Sequence, residues 1–209
     1  MILFTFAGLI KAMKTILFLT AVLLLCACGG SEDSSGGDVF FEDGKYQQAV
    51  EAYTDYLSTN PEHPKTLYNR GRAYEEIGET EKASKDFEKI IELDPYNINA
   101  FLSLAKLSYN EHNYNQVLHY SNKALELNEN SAQANFLAAR ASHQLGYVDQ
   151  ALEFYDNAIT LNKDFGDAFL YRGALKVGLK RMRSACEDFR FAQSLGVAGA
   201  DDALKKYCK

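Results

Sequence analysis

Four histidines and four cysteines are the side chains of this 209-residue chain best suited to metal or thiolate chemistry, and their spacing argues against both. His63, His112, His119 and His143 form no H-E-x-x-H pair, and none lies beside a cysteine pair. His112 and His119 stand two helical turns apart, too far to chelate one ion from one helix. They read as surface residues. Neither a glycine-rich phosphate loop nor a G-x-S-x-G elbow occurs. The chain therefore reads as a non-enzyme that needs no metal and no cofactor. What does recur is a set of cations, Arg72, Lys106 and Arg140, at successive intervals of 34 residues. Three cations along one wall suit the recognition of acidic groups.

The same interval organises the elements that must carry those cations. Thr66 to Asn97 reads as two amphipathic helices joined by a turn at Ile77, Gly78 and Glu79 and closed by Asp94-Pro95. Steps of 34 from Ala83 land on Ala49, Val117, Ala151 and Ala185, and from Leu93 on Leu127, Leu161 and Leu195. A shared period of that length means stacked copies of one unit. The composition, 47% apolar and 24% charged, supplies enough core for such a stack. The formal net charge is −6 and becomes about −8 once Lys11 and Lys14 are removed. That balance argues against nucleic acid as a partner, because phosphate neutralisation supplies most of such affinity.

Within the repeating unit, Gly71, Tyr74, Ala83, Phe87 and Pro95 meet the tetratricopeptide pattern of small residue, aromatic, alanine, aromatic and proline. Val39 to Leu195 thus resembles the tetratricopeptide repeat family, which implies an all-α superhelix, the TPR solenoid. Ala105, Ala139 and Gly173 continue the small set begun by Gly71, where paired helices cross closely. Tyr46, Ala49, Tyr53 and Pro61 give the first unit a good second helix, but only Val39 to Asp43 remain for its first. It reads as a degenerate cap, followed by four repeats within 39–195. Units three and four begin at Ile98 and Ala132, with core stripes Tyr114, Ala124, Leu127 and Val148, Ala151, Ala158, Leu161; the fifth spans Gly166 to Leu195. Residues 196–209 form a capping helix from Ala200 to Tyr207 that buries Ala203, Leu204 and Tyr207. The pair Arg70 and Asp86 recurs as Arg172 and Asp188, whereas units three and four carry Leu104 with Tyr120 and Ala138 with Phe154. Charge in both places or in neither predicts a salt bridge between paired helices.

The family resemblance implies that partners bind on the concave face made by each unit's first helix. By register that face carries Tyr68, Asn69, Arg72 and Glu75, then Leu102, Ser103, Lys106 and Tyr109, then Phe136, Leu137, Arg140 and His143, then Leu170 and Tyr171. Such a wall suits a peptide with acidic groups and apolar anchors. The competing reading makes the three cations solubilising charges at tolerant positions. The lysine and asparagine set that captures chaperone C-termini in some family members is absent.

Ahead of the array, Lys14 precedes eleven residues, Thr15 to Leu25, apolar except for two threonines. That run is too short to span a bilayer of about 30 Å. It suits a signal peptide over residues 1–27, starting at Met1 or Met13. A longer anchor helix from Ile2 to Leu25 competes, but Lys11 and Lys14 interrupt it. Leu25-Cys26-Ala27-Cys28 resembles the bacterial lipoprotein box, which implies a diacylglyceryl thioether on Cys28 and acyl chains such as palmitate. The alternative is an ordinary signal peptide with incidental cysteines. Residues 28–38 then form a small, acidic, flexible linker with an r.m.s. span of roughly 17 Å. Export permits a disulfide between Cys186 and Cys208, and the ending resembles that of many bacterial tetratricopeptide lipoproteins. The expected protein is a lipid-anchored adaptor in the cell envelope, at the outer membrane on its periplasmic or surface face. It holds a protein or peptide partner without catalysis, in an oligomeric state left open. An outer-membrane protein or pilus assembly factor and a glycan- or solute-binding lipoprotein are the alternatives.

Overall fold

The computed structural model describes residues 35–208. The expected signal peptide, Cys28 and the linker as far as Ser34 lie outside the described residues. The described chain contains eleven helices and no strand. A short helix α1 (Ser35–Glu42) is followed by α2 (Tyr46–Thr59), α3 (Pro64–Glu76), α4 (Thr80–Leu93), α5 (Ile98–Asn110) and α6 (Tyr114–Leu127). The second half runs through α7 (Ala132–Gln144), α8 (Val148–Leu161), α9 (Gly166–Gly178), α10 (Met182–Ser194) and α11 (Ala200–Tyr207). Consecutive helices pack as hairpins, and α5 also meets α7 as α7 meets α9. The first helices of successive units therefore share one wall. This is the all-α superhelix expected from the 34-residue period, with α11 laid on α10 as its C-terminal cap.

Local chemistry starts and stops each helix. His63 Nδ1, Asn97 Oδ1 and Ser131 Oγ accept hydrogen bonds from the backbone amides of Thr66, Ala100 and Ala134, capping α3, α5 and α7. Pro64 stands in the first turn of α3, where its missing N–H costs nothing. The turn inside each hairpin needs one left-handed residue, and Gly44, Gly78, His112, Gly146 and Lys180 fill that place at steps of 34.

Close packing between paired helices depends on a small residue facing a ring. A methyl group added at Gly71 would stand 2.7 Å from Phe87 Cε1, and one at Gly173 would stand 2.6 Å from Phe189 Cε1. Gly71→Ala is therefore expected to overpack the core by about 1–3 kcal/mol, against a helix-propensity gain of about 1 kcal/mol. The net result should be a loss of about 1 kcal/mol in urea unfolding; a stabilised variant would show that the Phe87 ring shifts freely.

The first unit differs from expectation. Helix α1 begins at Ser35, so four residues assigned to the flexible linker are helical, and this first helix is longer than Val39 to Asp43. Gly37, one step of 34 before Gly71, lets the Tyr53 ring lie directly on α1. Asp38 then accepts hydrogen bonds from Tyr53 Oη at 2.7 Å and Asn69 Nδ2 at 2.8 Å, tying α1 to both α2 and α3. One expected core leucine is also corrected: Leu161 is 40% exposed. It is the last residue of α8, beyond the packed part of the stripe.

Both expected salt bridges form. Arg70 donates from Nε and Nη2 to Asp86 at 2.8 and 2.7 Å, and Arg172 does the same to Asp188 at 3.0 and 2.6 Å. Each guanidinium also reaches back to the preceding unit, Arg70 to Thr54 Oγ1 at 3.3 Å and Arg172 to Asp156 Oδ1 at 2.6 Å. One side chain thus links its own second helix to the one before it. At the far end Cys186 of α10 is bonded to Cys208, with Cα atoms 5.7 Å apart.

Candidate protein-recognition face

The shared wall of first helices carries two open hollows. One, of about 300 Å³, lies where α1 meets α2 and α3, between Asp38, Glu42, Tyr68 and Arg72. The next, of about 240 Å³, continues from Tyr68 and Arg72 past Leu102 and Lys106 to Gln133 on α7. Helix periodicity places these side chains together, since residues three and four apart share a face. Of the fourteen residues expected on the wall, Tyr68, Asn69, Arg72, Glu75, Leu102, Lys106, Tyr109, Arg140, His143, Leu170 and Tyr171 are at least partly exposed. Ser103, Phe136 and Leu137 are buried instead. Leu137 packs with Ala105, Val117 and Ala141, and Phe136 joins the Tyr155 cluster, because neighbouring first helices meet there.

The expected basic row is not uniform. Glu75, whose side chain is 7% exposed, faces Arg72 Nε at 2.8 Å and Lys106 Nζ at 3.0 Å. One carboxylate thus neutralises two of the three cations. Arg72 Nε nevertheless lacks hydrogen-bond geometry to it. Arg140 is different: among the described residues it has no carboxylate within ion-pair distance. Its guanidinium carbon lies 3.8 Å from the Tyr109 ring centre, 4.6 Å from that of Tyr171 and 5.6 Å from that of Phe136. Three helices, α5, α7 and α9, contribute to this box.

Two polar atoms in the same neighbourhood have no hydrogen-bond partner, Arg140 Nε and the hydroxyl of fully buried Tyr155. Burial pushes the Tyr155 pKa well above the ordinary phenol value, while the Arg140 charge pulls the other way. The hydroxyl therefore stays protonated as a donor. Burial also lowers the pKa of His143, so that imidazole is neutral at pH 7. Neither Asp38 nor Tyr155 was expected at the site. Tyr155 occupies the ring position of Phe87 and Phe189 at the 34-residue step, so its hydroxyl was the available signal.

The remaining histidines have structural neighbours. His63 caps α3, His112 Nδ1 lies 3.0 Å from Tyr114 Oη, and the His119 ring packs on Tyr120. Among the described residues no helix is long and apolar enough to cross a membrane.

Comparison with known proteins agrees with the architecture. The tetratricopeptide repeat profile matches residues 64–97 and 132–165, which correspond to α3 with α4 and α7 with α8. Hsp70-Hsp90 organizing protein 2 of Arabidopsis thaliana is 31% identical over 102 residues, which is 49% of this chain but only 18% of that protein. The crystal structure of MamA superposes with a TM-score of 0.69 at 23% identity, covering 82% of this chain and 97% of that one. YrrB, described as a TPR protein with an unusual peptide-binding site, gives 0.65 at 21% identity over 81% of this chain and 88% of its own. Profile matches in two units, the fold of the whole array and the 34-residue recurrence converge, and the chain is a tetratricopeptide repeat protein.

Proposed function

We propose that this protein is an adaptor of the cell envelope, anchored through an acylated Cys28, that holds a segment of another protein along the wall of its first helices. The observation that carries the reading is the pair of connected hollows lined by Tyr68, Arg72, Leu102 and Lys106, apolar and charged at once and open along the stack. Interfaces of that composition supply both anchoring rings and charge steering. The peptide-binding site described for YrrB supports a peptide as the occupant. The lipoprotein-box resemblance at Leu25 to Cys28 supports the anchor.

A photoreactive residue placed at Lys106 on the wall, or at Lys123 on α6, tests both halves in cells. Capture of one protein from position 106 but not from 123 is expected, and it should leave the membrane fraction when Cys28→Ser is added. Equal capture from both positions would overturn the wall as the binding face. Retention of the Cys28→Ser variant on the membrane would overturn the anchor.

A further inference from the structure

The cation at Arg140 has a setting unlike that of its two counterparts at the 34-residue step. Arg72 and Lys106 already share Glu75, whereas Arg140 has no carboxylate within ion-pair distance among the described residues and lies against two tyrosine rings. A guanidinium stacked on ring faces is held in one plane with its donors fixed, so little freedom is left to lose on binding. The Phe136 ring centre, 5.6 Å from the guanidinium carbon, adds a third ring. Arg140 is itself partly exposed, and a cation held against apolar rings with no anion beside it calls for one from outside.

We infer that Arg140, boxed by Tyr109, Phe136 and Tyr171, receives the side-chain carboxylate of an Asp or Glu within an extended partner segment. The inference rests on the wall being the binding face. A single free cation matches a monoanion; a phosphate dianion would keep half its charge unmatched. Arg140 also sits on α7, with α3 and α5 on one side of it and α9 on the other. A segment lying along the wall therefore passes Arg140, which favours an internal acidic side chain over a chain terminus. Aromatic walls strengthen the pairing by keeping it out of bulk water.

Random twelve-residue peptides, displayed with their C-termini fused to a phage coat protein, would be selected on the immobilised full chain. Enriched peptides should carry Asp or Glu at a fixed offset from an apolar residue. Synthesised with amidated C-termini, they should lose about tenfold in affinity when that residue becomes Gln or Asn. The loss should vanish on Arg140→Gln, with Arg140→Lys intermediate because it keeps the charge but not the planar fork. No acidic enrichment, or an acidic residue whose effect persists in Arg140→Gln, overturns the assignment. Crosslinking at position 106 reads the wall separately, so peptides that bind it while ignoring Arg140 sink only this inference.

Discussion

Asp188→Ala is expected to lower the unfolding free energy by about 3–5 kcal/mol, the range for leaving a buried ion without its partner. The Asp188 side chain is 4% exposed and meets both Arg172 at 2.6 Å and Lys176 at 2.8 Å, themselves 15% and 16% exposed. Removing it leaves Lys176 without a carboxylate and Arg172 with Asp156 alone, both largely buried between α9 and α10. Asp86→Ala leaves Arg70 with only the Thr54 hydroxyl at 3.3 Å, so its loss should fall in the same range. Removing both charges together should behave differently, because a well-packed apolar pair of similar volume replaces a buried ion pair at little cost. The chain carries its own template for that swap: Leu104 and Tyr120 stand where unit two has Arg70 and Asp86, and Leu104 is fully buried there. Arg70→Leu with Asp86→Tyr should therefore recover most of what either single change loses. Urea unfolding of the two single variants and the double closes the cycle. If the double variant loses as much as the two single ones added together, the pair is not a coupled unit and the template argument fails.

The array was legible because a single contact recurs in it. A small residue on each first helix faces a side chain on the paired second helix, and any such contact repeats at the period of the unit. Steps of 34 from Ala83 and Gly71 therefore locate helices and hairpins without any knowledge of their packing. The same reasoning applied backward from Gly71 lands on Gly37, and it would have placed α1 inside the array rather than inside a linker. Composition misled there, since Ser35 to Asp38 is small and polar in isolation and its helix is held by Tyr53 and Asn69 from elsewhere.

The charge pattern of the wall was less legible. Periodicity reports what repeats, and Glu75 does not: the same step leads to Tyr109 and His143. Yet Glu75 decides which cations are free, through a contact to Lys106 that crosses from one unit to the next. Burial of Ser103, Phe136 and Leu137 has the same origin. Their register puts them near the wall, but packing between α5 and α7 and between α7 and α9 covers them. Features set by contacts between units need the stack itself to be read.

Reduction of the Cys186–Cys208 bond, or Cys208→Ser, is expected to cost about 3 kcal/mol by chain entropy for a sequence separation of 22 residues. The effect should concentrate in α11, which packs on α10 at the end of the array. Its contacts are few: the Tyr207 ring lies 6.2 Å from that of Phe189, and Ala200 is its one fully buried residue. Two left-handed glycines, Gly196 and Gly199, already form the bend between α10 and α11, so the disulfide is what pins the helix's far end. An end unit touches one neighbour only, and loosening it removes one interface without unfolding the others. Amide exchange should therefore speed up across α11 and the face of α10 around Phe189, while α3 to α8 keep their protection. On the envelope reading proposed above, the bond forms after export, so the cap would close only in the compartment where the protein works. If reduction leaves both the urea midpoint and α11 exchange unchanged, packing alone holds the cap and the disulfide contributes nothing to it.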